Sequence, residues 1–162
     1  MIRANDPTRK SWVFVPSNSD FSIQNLPFGI FSTGLGGKRV GIAIGNQVLD
    51  LSAVEKLGKL QGLGFDQSDF SSSSLNNLMS KGKEAVRELR NVISDLLLEG
   101  SDLEAHAQSV LADQIQASMH LPIEIGDYTD FYSSEQHAYN VGCMFRDPNN
   151  ALLPNWKHIP VG

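Results

Sequence analysis

The run "RVGIAIGNQVLDL", Arg39 to Leu51, leaves the backbone little choice. Two β-prone arms, Val40 to Ile44 and Gln47 to Leu51, flank Gly45-Asn46, and a two-residue loop with glycine first predicts a hairpin closed by a type II′ turn. Ser52 and Glu55 follow with capping-box spacing and predict a short helix that stops near Gly62. Upstream, "WVFV" (Trp12 to Val15) and "FGIF" (Phe28 to Phe31) are short β-prone runs bounded by Pro16, Pro27 and glycine, and both read as strands. The first third is therefore a small β-rich unit.

After a serine-rich passage ending at Ser71 to Ser74, the apolar period changes. From Lys83 to Leu98, the residues Val86, Leu89, Val92, Ile93, Leu96 and Leu97 recur at intervals of three and four, which is one face of a helix, and Gly100 closes it. Ser101 and Glu104 have the spacing to cap another short helix. Pro122 and Gly126 oppose continued helix, so a boundary is placed near Ala117, and no internal repeat is found. The fold class expected is α+β, mainly β.

Composition narrows the function classes. The 162 residues, 41% of them hydrophobic, can bury a core. Thirteen basic against eighteen acidic residues give a formal charge of -5, the wrong sign for gripping phosphate backbones, so no nucleic acid partner is expected. The single Cys143 cannot close an internal disulfide, and no apolar run has the length to span a bilayer, so a reducing cytoplasmic location is expected, with no membrane partner. Cys143 itself reads as a small buried hydrophobe. "GLGGK" (Gly34 to Lys38) is a turn between strands, because Ser32 stands where a phosphate loop needs its first glycine and Arg39 where it needs Ser or Thr. His106, His120 and His158 stand apart from ligand-like partners and read as structural or solvated.

The segment "GDYTDFYSSEQHAYNVGCMFRD", Gly126 to Asp147, is different. If Tyr128 to Tyr132 is extended, Asp130 lies between two phenols on one face. Ser133 and Gln136 then have capping-box spacing for a short helix from Ser134 to Gly142, with His137 in its first turns and Gly142 as its C-terminal cap. On spacing alone two readings stand. One is a carboxylate and an imidazole aimed at a cleft; the other is a capped turn with half-buried tyrosines.

This string, with "MHLPIEIG" before it and "NALLPNWKHIPVG" after it, closely resembles the fumarylacetoacetase family at the start of its hydrolase domain. The similarity extends upstream through "NLPFGIFST", "VGIAIGNQVLDLS" and "LNNLMSKGKEAVRELR". The resemblance implies an SH3-like N-terminal β-barrel domain with helices over residues 1–117, followed over 118–162 by the beginning of a mixed β-sheet catalytic domain. It implies hydrolysis of a carbon–carbon bond in a 1,3-diketo acid, 4-fumarylacetoacetate, to fumarate and acetoacetate, in the breakdown of tyrosine and phenylalanine. By the same resemblance Asp130 is a metal ligand, His137 activates water, Tyr132 and Arg146 contact substrate, and the complete protein pairs as a homodimer. Nothing is implied for Asp127, Tyr128 or Tyr139.

The chemistry is coherent. Neutral imidazole takes a proton from water near physiological pH, and the oxyanion and enolate that follow call for positive charge nearby. Carboxylate oxygen ligands favour Ca²⁺ or Mg²⁺ over zinc. Arg146 can hold a carboxylate with two parallel hydrogen bonds, and the Tyr132 hydroxyl can add another. One aspartate does not make such a site, so the expectation is an N-terminal fragment whose other ligands lie beyond Gly162. Two alternatives stand beside it: a non-catalytic truncated remnant folding only as the N-terminal domain, and a related diketo-acid hydrolase of the same superfamily.

Overall fold

The computed structural model describes residues 2–131 and 133–159, and packing divides the chain into two compact units, Met1–Glu124 and Ile125–Gly162. The first is built on an antiparallel sheet of β1 (Phe28–Thr33), β2 (Arg39–Ile44), β3 (Gln47–Asp50), β4 (Leu111–Asp113) and β5 (Ala117–His120), in the order β4-β3-β2-β1-β5. The hairpin forms as its turn chemistry dictates: Ile44 pairs with Gln47 across Gly45-Asn46. Gly45 has φ +55°, while no non-glycine residue among those described has positive φ, which fits a type II′ turn. The glycine-rich Gly34 to Gly37 is the β1–β2 turn, with the Gly36 amide donating to Thr33 O at 2.8 Å.

The expected barrel is an open sheet. β4 has three residues and β5 four, too short to tilt around and pair with each other, and each lies at an edge. "WVFV" is not a strand either. Trp12 is held by bonds from its amide to Leu97 O and from its indole to Leu96 O, Ser11 makes a single bridge to Leu98, and Pro16 follows, so Val13 reaches the core without a ladder.

The inward face of the sheet carries Ile30, Val40, Ile42, Ile44 and Leu49, all buried. Helices α1 (Leu51–Lys56), α2 (Gln67–Phe70), α3 (Asn76–Ser80), α4 (Lys83–Leu96) and α5 (Ala107–Val110) accompany it. α4 follows the periodic stripe: Leu89, Ile93 and Leu97 are fully buried at successive turns, and Val86, Val92 and Leu96 flank them. Arg90 ties α4 to the irregular segment that leads into β1, donating to Leu26 O at 3.0 Å and Gln24 O at 2.6 Å. α1 is capped by Asp50, whose side chain accepts from the Ala53 amide at 3.0 Å, and not by Ser52, which is buried and shares a hydrogen bond with Ser71. α2, in the serine-rich passage, has the capping box: Asp66 and Asp69 exchange side-chain and backbone bonds. Ser101 caps a 3-10 turn, Asp102–His106, through the Leu103 amide.

On the other face Phe31 is buried beside Gly41, with the Arg39 guanidinium 4.2 Å above its ring and paired at 2.5 Å to Asp50. Residue 117, where the sequence places a boundary, begins β5, which pairs with β1 from Ile30↔His120 to Thr33↔Ala117. The chain stays with this unit through Glu124, since Pro122 O accepts from the Leu75 amide at 2.7 Å and Asn76 exchanges two bonds with the Glu124 backbone.

The second unit contains α6 (Glu135–Cys143), a 3-10 turn at Pro148–Asn150 and irregular chain. Among the described residues no helix is long and apolar enough to cross a membrane.

Candidate functional site

The segment around Asp130 has no strand among its described residues, so the shared face considered for an extended Tyr128 to Tyr132 is not part of a sheet over Tyr128 to Phe131. Among the described residues of the second unit there is no strand to pair with it, and Tyr128 and Phe131 are exposed. Asp130 is exposed, and its Oδ1 accepts from the Phe131 amide at 2.9 Å. Tyr132 lies outside the described residues.

Ser134 stops the irregular chain and starts α6. Its hydroxyl accepts from the His137 amide at 3.3 Å and donates to Gln136 Oε1, so the N-cap falls one residue after the Ser133 that spacing favoured. His137 thus stands at the third helical position, with an exposed side chain. The far end of α6 differs from expectation in a more telling way. Gly142 is inside the helix, buried, and the C-cap is Met144. Glycine is needed at 142 because a Cβ there would stand 2.1 Å from Ala151 O.

Arg146 follows the last turn. Its amide donates to Gly142 O at 2.9 Å, and its Nη1 donates to Ala151 O at 3.3 Å. It lines a cavity of about 250 Å³ together with Ala138, Val141, Phe145, Leu152 and Trp156. The Trp156 indole N–H is buried in this unit with no hydrogen-bond partner among the described groups. Lys157 pairs with Glu135 at 3.2 Å and ties the end of the unit to the first turn of α6.

His137 and Arg146 stand nine positions apart. His137 lies within α6, while Arg146 lies three residues past the helix's last residue, Cys143, so the helix starts the first side chain and the bend after it starts the second. Tyr139 and Cys143 sit one turn apart on α6. The hydrogen bond to Cys143, with desolvation and the nearby Asp147 carboxylate, holds the Tyr139 phenol above its ordinary value. Cys143 is half-buried, less enclosed than expected.

A metal at Asp130 would meet a single hard oxygen donor. Among the described residues no three His, Cys, Asp or Glu side chains cluster to hold an ion, so these residues alone do not fit a Ca²⁺ or Mg²⁺ site, which takes about six to eight oxygens for Ca²⁺ and six for Mg²⁺.

Comparison with known proteins places the chain. Residues 24–122 match the family described as fumarylacetoacetase N-terminal, a span that falls within the first compact unit. Among curated proteins the chain is 49% identical over 157 residues to the fumarylacetoacetase of Mus musculus and 48% identical over 158 residues to that of Homo sapiens, in each case covering 94% of this chain and 38% of the relative. It is 50% identical over 158 residues to the fumarylacetoacetase of Caenorhabditis elegans, with the same coverage. The chain thus spans 38% of the length of the curated relatives it matches. A match over 94% of the chain leaves about ten residues outside it, and Arg146 is sixteen from Gly162, so the similarity reaches across Asp130 to Arg146.

Proposed function

Because the chain belongs to the fumarylacetoacetase N-terminal family, we propose that the complete protein is a hydrolase that cleaves the carbon–carbon bond of 4-fumarylacetoacetate to fumarate and acetoacetate, in tyrosine and phenylalanine breakdown. The observation that carries this reading is the 17-residue stretch from Asp130 to Arg146, in which a Ser134-capped helix holds an exposed imidazole on its first turn and a guanidinium after its last. The similarity to three fumarylacetoacetases across this stretch supports it.

His137 takes a proton from water, and the resulting hydroxide adds to the ketone carbon. The carbon–carbon bond then breaks with its electron pair leaving as the enolate of acetoacetate, which a proton returns to the ketone, and the acid formed is fumarate. Arg146 pairs with a substrate carboxylate, and the Tyr132 hydroxyl donates a further hydrogen bond. Ca²⁺ or Mg²⁺ is part of the proposal, with Asp130 as one oxygen ligand and the rest from chain beyond this one; when bound, it supplies positive charge beside the developing negative charge. An SH3-like form of the first unit is supported by its five short antiparallel strands, three of them joined consecutively. A homodimer is supported by the family resemblance, and a cytoplasmic location by the free thiol of Cys143.

The test is the purified complete protein incubated with 4-fumarylacetoacetate in Ca²⁺ or Mg²⁺, with fumarate and acetoacetate quantified. Both products in equal amounts are expected; unchanged substrate overturns the reading.

A further inference from the structure

We propose that Gly142 is a positioning residue for Arg146, acting through the Ala151 carbonyl. The inference rests on the reading of Arg146 as a substrate-carboxylate ligand and adds what sets its geometry. One face of α6 presents Ala138 and Gly142, both buried, and Ala151 is buried at 3% exposure. At Gly142 a Cβ would stand 2.1 Å from Ala151 O, 2.7 Å from Ala151 C and 3.1 Å from Ala151 Cα. All three atoms are backbone, so no side-chain rotation relieves the contact. The same carbonyl oxygen accepts from Arg146 Nη1 at 3.3 Å, and the Arg146 amide donates to Gly142 O at 2.9 Å. The turn that carries Ala151 is itself held, because the Asp147 side chain accepts from the Asn149 amide at 2.9 Å and Asp147 O accepts from the Asn150 amide at 2.8 Å.

The missing side chain at 142 therefore lets a carbonyl come against the helix, and that carbonyl holds one arm of the guanidinium fork. A methyl at 142 must push the carbonyl back by about an ångström. The fork loses its anchor while its charge remains. Displacements near 1 Å in a positioning contact cost up to about 10²-fold in rate constants. A group that binds substrate and transition state alike shows its loss in KM and not in kcat.

The experiment is a double-mutant cycle in the complete protein with 4-fumarylacetoacetate: parent, Gly142→Ala, Arg146→Ala and the pair. Gly142→Ala is expected to raise KM roughly tenfold or more with kcat within about threefold. In the Arg146→Ala background the same substitution should change KM less than about twofold, because residues acting through one contact are not additive. Equal effects of Gly142→Ala in both backgrounds would make Gly142 a purely structural glycine and overturn the proposal. An unchanged KM in Arg146→Ala alone is a different failure, since it removes Arg146 from substrate binding and with it the reading beneath the inference. If Gly142→Ala does not fold, as judged by its thermal unfolding, Asp147→Ala replaces it. That variant loosens the same turn without adding volume, and its KM effect should also vanish when Arg146 is alanine; additivity there overturns the proposal in the same way.

Discussion

Of the side chains in the proposed chemistry, His137 and Asp130 are both exposed, and each can be replaced without disturbing a core. His137 is exposed on the first turn of α6, where its backbone amide, not its ring, bonds the Ser134 cap. His137→Ala therefore leaves the helix start intact and should lower kcat of the complete protein by a factor on the order of 10² to 10⁴, the usual worth of a general base. Steady-state turnover near that of the parent would take His137 out of the mechanism. Asp130 is exposed as well, bonded to the next residue's amide at 2.9 Å. Asp130→Asn keeps the shape and loses the charge, so activity should need more Ca²⁺ or Mg²⁺ and recover partly in excess. A metal titration that overlays the parent's would remove Asp130 from the ligand set. At this scale the candidate site was legible as a list of residue types at motif spacing. Its geometry was not: the bond from Arg146 Nη1 to Ala151 O, and the contact that makes Gly142 necessary, depend on where Ala151 packs.

The elements divide into those held by local chemistry and those held by burial. α2 is four residues long and depends on its capping box, with Asp66 accepting from the Ser68 hydroxyl at 2.5 Å and from the Ser68 and Asp69 amides. Those bonds, led by the one from the Ser68 hydroxyl, hold the Asp66 carboxyl below its ordinary 3.8. A folded value below the unfolded one means that the stabilisation is fully present above pH 3.8 and is lost as pH falls through the lower folded value. Asp66→Asn should accordingly have a lower melting temperature than the parent at neutral pH, with the gap closing in acid. A gap that stays constant down to pH values well below 3.8 would contradict this account. α4 is the opposite case. Ile93 is fully buried in the middle of its apolar face, so Ile93→Ala should cost about 2–5 kcal/mol in urea denaturation, from lost burial and the cavity left behind. A cost under about 1 kcal/mol would mean that α4 contributes little to the core.

At the scale of the whole chain, the sheet, its helices and the apolar core all belong to residues 1–124, while Asp130, His137 and Arg146 belong to 125–162. The first unit expressed alone should unfold cooperatively in denaturant, with a stability of about 5–10 kcal/mol, and should hydrolyse no 4-fumarylacetoacetate. A gradual, non-cooperative loss of ellipticity would show that its core needs more chain. The hairpin at Gly45-Asn46 and the buried stripe of α4 were determined by the sequence itself, because turn chemistry and a 3.6-residue period act over a few neighbours and admit one answer. Other features were settled only in three dimensions. "WVFV" has the composition of a strand and no ladder to join, and β5 pairs with β1 across about ninety residues of sequence, a choice no local pattern contains. Asp50 caps α1 because Ser52 turns inward toward Ser71, and Gly142 has the look of a helix stop yet serves as a seat for the Ala151 carbonyl. In each case the residue offers a capacity, to pair, to cap or to leave space, and which capacity is used depends on the atoms that distant chain brings against it.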